Sequence, residues 1–275
     1  MSSHPFIQFQ TGPSRYVDLA GTTVSAGYGD LNSGYGSGGV MMDDDCALDQ
    51  TPIAHAGIGA RAIDAGKWDA FPAAGGSIFA LNDVNAGLAI YRLNAPAGTS
   101  GLRSRKLWSL PTKIPAGNAI FAHPWSGFML EMMVKYSSIQ GAVPAYQFGM
   151  HSNNISTDMA GGSMIGFRVG VGAIIQAVVR NAGVGETAQT LGIATDTAWH
   201  LYWIMIPFAE NGVDPATGPS FWVDRVLQHT VATGIANLPR GPMHIKFSHA
   251  AFANPNIEIA SVRAGHAWQR RRIYP

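Results

Sequence analysis

Apolar and polar positions alternate in short runs through most of the second half of the chain. Over residues 128–136, Phe128, Leu130, Met132, Val134 and Tyr136 fall on one side. Glu131 and Lys135 fall on the other, among Met129 and Met133. A period of two is the signature of a strand whose successive side chains point to opposite faces. Residues 145–151 repeat it, with Tyr146, Phe148 and Met150 on one face. Residues 164–170 and 173–180 predict a hairpin about Val171-Gly172, 187–193 a further strand, and 257–262 the last one. Upstream, 77–81 and 88–93 flank the turn-forming run Asn-Asp-Val-Asn-Ala-Gly and predict another hairpin. No amphipathic helix of convincing length appears, and no repeat of 20–50 residues. Many short strands punctuated by Gly and Pro mean a β-sandwich or barrel.

The organising stretch is 196–249. In 199–206, Trp199, Leu201, Trp203 and Met205 share one face, and His200, Tyr202, Ile204 and Ile206 share the other. Both faces are largely apolar, which predicts a central strand covered on both sides, with Trp199 and Trp203 in the core. After the Pro- and Gly-bearing loop 210–219, Phe221, Val223 and Leu227 fall on one side of the next strand and Asp224 on the other. The succession Trp199-His200-Leu201-Tyr202, then Phe221-Trp222-Val223-Asp224, then a strand over 243–248 resembles the concanavalin A-like jelly-roll family. That family includes laminin-G-like domains, legume-type lectins and many glucanases. Its aspartate is usually followed by glycine in a tight turn, where this chain has Arg225. The resemblance spans 119–268.

The fold expected is therefore all-β, an antiparallel jelly-roll β-sandwich with an extended Gly-rich N-terminal arm. Residues 1–60 form the arm. Residues 61–118 form a connecting region of short strands, and the sequence leaves open whether it joins the sandwich. Residues 119–275 form the sandwich, ending in the basic tail Arg270-Arg271-Arg272. Residues 27–39 are close to low complexity, and glycine raises the entropy cost of ordering them. Phe6, Ile7, Phe9, Tyr16, Tyr28 and Tyr35 are spaced to anchor such an arm in grooves of a neighbouring chain.

Composition changes the picture in one respect. Only 13% of residues are charged, against about 25% in an average soluble chain. So little surface charge points to a protein whose surface is covered by neighbours in an assembly. The net charge of +1 supplies no field for nucleic acid or an anionic membrane, so neither is expected as a partner. A single cysteine, Cys46, leaves no intramolecular disulfide framework and no cysteine zinc site. The first ten residues lack the basic and apolar regions of a signal peptide, and no apolar run approaches the ~20 residues a membrane helix needs.

Candidate chemistry is sparse, and no cofactor is expected. Asp43-Asp44-Asp45 with Asp49 offers oxygen ligands, but no D-x-D-x-D-G calcium loop frames them, so a solvated acidic turn is the simpler reading. The nine histidines form no H-x-x-x-H or H-E-x-x-H pair. The G-x-S-x-G elbow is absent, and G-x-G-x-x-G at 34–39 neither follows a strand nor opens a helix. Three aspartates before Cys46 oppose thiolate formation. Glycoside hydrolysis needs two carboxylates about 5–10 Å apart. Here Glu131 reads as a surface ion pair with Lys135, and Glu258 stands alone on its strand. These absences lead to the expectation that the chain is not an enzyme. For glycan binding the candidates are Trp125, His151, Asn153, Asn154 and Trp222, although core or interface residues are the simpler reading of the two tryptophans. The expected function is a non-enzymatic structural protein of a tailed-bacteriophage virion, a capsid decoration or fibre-type subunit assembled in the host cytoplasm. Its partners would be other virion proteins and copies of itself. The alternative is a lectin-like or receptor-binding module for a cell-surface glycan, and a glycan-cleaving enzyme is the remaining one.

Overall fold

The computed structural model describes residues 15–17, 23–25, 41–44, 68–71, 77–83, 88–94, 99–109, 125–136, 146–152, 161–170, 174–194, 196–207, 218–232, 238–239, 242–249 and 256–269. Among these there are strands and turns and no helix. β1 (Arg15–Val17) and β2 (Thr23–Ser25) pair with each other. The remaining strands form two antiparallel sheets. In the first, the order is β12 (Gly185–Ala194), β11 (Ile174–Asn181), β10 (Met164–Gly170), β9 (Tyr146–His151), β16 (Pro242–His249), β7 (Ser100–Ser109) and β4 (Trp68–Phe71). In the second it is β15 (Val226–Thr230), β14 (Ser220–Val223), β13 (His200–Pro207), β8 (Trp125–Tyr136), β17 (Asn256–Gln269), β6 (Leu88–Asn94) and β5 (Ser77–Asp83). β3 (Met41–Asp44) also pairs with β17. The chain is thus an all-β jelly-roll sandwich.

The alternation read from the sequence sets the inner faces. Phe128, Leu130, Met132, Val134 and Tyr136 of β8 are fully buried and face Tyr146, Phe148 and Met150 of β9 across the core. An aromatic spine ties the two sheets together. The Tyr202 ring meets Phe148 edge-on at 4.9 Å and Phe167 at 5.0 Å, and Phe167 meets Phe221 at 5.3 Å. Edge-to-face pairs of this kind each add about 0.5–1.5 kcal/mol beyond the area they bury. The Tyr136 hydroxyl donates a buried hydrogen bond to the Tyr202 hydroxyl at 2.8 Å, so the two phenols are paired inside the core.

Three expectations change. Tyr202, Ile204 and Ile206 are the core side of β13, and Trp203, buried as expected at 6% exposure, lies on the other face, outside the main core cluster. With both faces apolar, the period alone could not say which one the partner sheet covers. Leu227 is exposed instead of sharing a side with Phe221 and Val223, because the two-residue turn Asp224-Arg225 sets it opposite Trp222. The last strand runs to Gln269, well past residue 262. Of the segment 1–60, residues 41–44 pair with β17 of their own chain, and Tyr16 sits in β1 opposite Val24. Phe6, Ile7, Phe9, Tyr28 and Tyr35 lie outside the described residues. Within 61–118, β4 and β7 belong to the first sheet and β5 and β6 to the second.

The turn between β14 and β15 forms without glycine. Asp224 has φ of 49° and Arg225 of 68°, the pair of left-handed residues that a two-residue hairpin turn requires. Asp224 is held there by its own bonds. Its N–H donates to the Leu201 carbonyl at 2.8 Å, and its Oδ1 accepts the Leu201 N–H at 2.9 Å.

Candidate functional site

The outer face of the second sheet carries two polar rows that alternate with apolar ones, because each row is one register position across neighbouring strands. One row crosses β14, β13, β8 and β17 as Trp222, Trp203, Glu131 and Arg263. The Arg263 guanidinium lies 3.3 Å from Glu131, and the Trp222 indole N–H donates to Ser220 Oγ at 3.0 Å. The other row crosses β8, β17 and β6 as Lys135, Glu258 and Arg92. Arg92 Nε donates to Glu258 at 2.8 Å, and Lys135 Nζ stands 3.4 Å from its other oxygen. Two cations thus surround one almost wholly buried carboxylate, the arrangement that makes a buried charge tolerable. Lys135 also sits over the Trp199 ring, 5.5 Å from its centre. Between the two rows come Leu201, Met133 and Ser261. Trp199 and Trp222 are both half-buried. The expected Glu131–Lys135 pair does not form. Each carboxylate is instead taken by a cross-strand partner far away in sequence, which no local pattern could show.

At the start of β13, on the side it shares with Tyr202, His200 is clamped between two carboxylates. Its Nδ1 lies 2.6 Å from Asp224 and its Nε2 2.9 Å from Asp196. Burial is the largest single influence and lowers the His200 pKa, but hydrogen bonds to Asp224 and Asp196 and their charges outweigh it and leave the pKa raised. Asp196 accepts the Ala198 N–H at 2.7 Å, and that bond first, then His200, holds its carboxyl below the usual value. With both ring nitrogens engaged, His200 staples the start of β13 to the β14–β15 turn and has no nitrogen left to act as a base. This is the structural use of the Trp-His-x-Tyr and Val-Asp pieces that carried the family resemblance.

A second histidine is placed oppositely. His249, the last residue of β16, is fully buried, and neither ring nitrogen has a hydrogen-bond partner. It stacks on Tyr146 at 5.1 Å, which in turn stacks on Tyr136 at 4.8 Å. Burial pushes the His249 pKa down to about 4, so the ring is neutral. Burial likewise pushes the Tyr146 pKa well up.

Of the described residues singled out for glycan binding, His151 and Trp222 belong to different sheets. His151 is fully buried in β9, opposite His244 and Met164. Trp125 opens β8 opposite Gln269. Asn153 and Asn154 lie outside the described residues. Trp222 lies on the outer face described above. Asp43 and Asp44 lie in β3, while Asp45, Cys46 and Asp49 fall outside the described residues. Among the described residues no three His, Cys, Asp or Glu side chains are grouped to hold a metal ion.

No family model and no curated protein sequence matches the chain. Solved structures do match. A Bacteroides ovatus mixed-linkage glucan GH16 protein in complex with a G4G4G3G product is similar at 10% identity and a TM-score of 0.49, over 81% of this chain and 99% of that one. A Bacillus licheniformis β-glucanase is similar at 16% identity and a TM-score of 0.45, over 86% and 100%. The exoplasmic/lumenal domain of VIP36, in a Ca2+- and Man3GlcNAc-bound form, is similar at 11% identity and 0.46, over 76% and 86%. At these identities the likeness concerns the fold, and these neighbours are concanavalin A-like jelly rolls. The comparison also corrects one expectation. The chain was expected not to be an enzyme because sequence motifs were missing, yet several structures of similar fold are glycoside hydrolases. That exclusion is dropped.

Proposed function

We propose that the chain is a glycan-binding β-sandwich whose ligand lies along the outer face of the second sheet. The observation that carries this is the pair of tryptophan-bearing rows on that face. Trp222 and Trp199 present half-buried indoles, the kind of amphipathic ring that covers the apolar side of a sugar. Glu131–Arg263 and Lys135–Glu258–Arg92 lie alongside with groups that hydrogen-bond hydroxyls. Glu131 and Glu258 stand about four residues apart along β8, roughly 13 Å, wider than a glycosidic carboxylate pair. At that spacing these two do not form such a dyad with each other. The test is a glycan array followed by titration of the best ligand against the whole chain. Trp222→Ala and Trp199→Ala are expected to weaken binding at least tenfold without unfolding the protein. No glycan bound, or full affinity in both variants, overturns the reading. Release of reducing ends from the bound glycan tells a hydrolase from a binder.

A second reading, a subunit of an assembled particle such as a tailed-phage virion, is favoured by Val226 and Leu227, which are 59% and 47% exposed on an edge strand. Isolated apolar side chains are ordinary on a surface, but adjacent ones on a free strand edge invite protein contact. Electron microscopy of particles labelled through this chain checks it, and a chain that never enters particles sinks it.

A further inference from the structure

Strand β12 has an open edge. Residues 182–190 are exposed throughout, and among the described residues of the first sheet β12 pairs with β11 alone. Free edges are normally blunted by lysine, proline or inward charges, because their backbone groups are a template for another strand. The run Glu186–Thr190 carries none of these. Its one charge, Glu186, is already neutralised by Arg168 at 2.8 Å and Arg180 at 3.3 Å. The partner's chemistry follows from this: it is an extended, neutral strand. β12 itself meets that description. Laid antiparallel on a second β12 about a two-fold axis at Ala188, it sets Glu186 opposite Thr190 and Thr187 opposite Gln189, with no like charges facing. The bulge between Gln176 and Ile174 on the β11 side limits regular pairing to this run. The same rotation carries the turn of each copy, with Val184 58% exposed, toward the end of the other where Ile174 is 41% exposed.

We propose that two copies of this chain pair β12 to β12 through Glu186–Thr190, joining their first sheets into one continuous sheet across a two-fold axis. An isologous contact of this kind closes on itself and makes a dimer instead of a fibre. The Gln189 side chain, which now donates to the Thr190 carbonyl at 3.1 Å, is released when the second strand takes over. The inference does not depend on the glycan reading, since the edge and the tryptophan face belong to different sheets.

Light scattering during size-exclusion chromatography of the full chain is the measurement. The wild type is expected to run as a dimer that dissociates on dilution. Ala188→Lys puts two ammonium groups face to face at the axis and is expected to give a folded monomer, with unchanged far-ultraviolet circular dichroism. Gln189→Lys serves as the second variant should the first lose its fold. Ala188→Cys in a Cys46→Ser background is expected to give an oxidised, disulfide-linked dimer, because residues facing each other across antiparallel strands lie within about 5.5 Å at Cβ. A wild type that stays monomeric at every concentration overturns the proposal. So does a folded lysine variant that remains dimeric, or a dimer abolished by Leu227→Lys and untouched by Ala188→Lys.

Discussion

Two histidines answer pH in opposite senses. His200 has a raised pKa in the folded chain. Its contribution is present in full below the unfolded value of about 6.5 and is lost as pH rises through the folded value. Asp196 has a lowered pKa, so its contribution is present above the ordinary 3.8 and lost as pH falls. The clamp is therefore strongest between those values. His200→Asn should flatten the drop in melting temperature between pH 6 and pH 8, and an unaltered drop counts against the clamp. His249 is buried and neutral with a pKa of about 4, so acid protonates the unfolded chain first. Stability falls as pH drops below about 6.5, by roughly 2 kcal/mol at pH 5. His249→Phe keeps a ring against Tyr146 and removes two unpartnered nitrogens. It should lose less stability than wild type from pH 7 to pH 5, read by thermal melts, and equal losses would show that the ring is solvated. Neither role was legible in the sequence, because each depends on what burial and a distant strand bring to the ring. Arg225 shows the same limit from another side. The missing glycine put the turn in question, and the turn forms nonetheless with Arg225 in the left-handed region. Left-handed backbone costs an ordinary residue about 1–2 kcal/mol, part of which glycine's own entropy returns. Arg225→Gly is expected to raise the melting temperature by roughly 1–3 °C.

At the level of the strand, period and punctuation were enough to place β5, β6, β8, β9, β10 and β11, because a half-buried strand with one polar face writes its geometry into the sequence. β13 shows where that stops. Its two apolar faces hide which one is inner, so Trp203 was expected in the core and stands on the outer face. Burial is hidden in the same way: that Trp222 is half-buried and His151 fully buried follows from packing against the sheet and not from residue type. Close approach between strands is equally silent. Gly149, at φ of 141°, faces Gly166 across β9 and β10, and a Cβ there would come within 2.5 Å of the Gly166 Cα. A Cβ on Gly166 would in turn meet the Phe148 carbonyl oxygen. Backbone cannot step aside as a side chain can, so Gly149→Ala and Gly166→Ala should each cost about 1–3 kcal/mol or more. Denaturant midpoints unchanged by either substitution would show that the strands can part.

In the whole molecule, the joint that matters is β17. Along its fourteen residues it pairs with β8 on one side, and on the other with β6 at Asn256–Ile259 and with β3 at Val262–Gly265. β3 comes from a segment expected to be ordered by other chains, and in the structure it sits against a strand of its own chain. Truncation before residue 41 should therefore spare this pairing, whereas truncation after residue 44 leaves the Val262–Gly265 edge bare. The second cut should lower the melting temperature more than the first, and equal effects would show that β3 contributes nothing. The position of β17 also has a consequence for how the protein is made. Without it, β15, β14, β13 and β8 form one half-sheet and β6 and β5 another, with nothing in the register to join them. The strand that joins them is encoded after every other described strand, while domains fold as units as the chain emerges at ~5–20 residues per second. Until residues 256–269 have left the ribosome, the nascent chain holds two unjoined half-sheets with bare edges. For those seconds its protection falls to whatever binds it in the cell, not to its own structure.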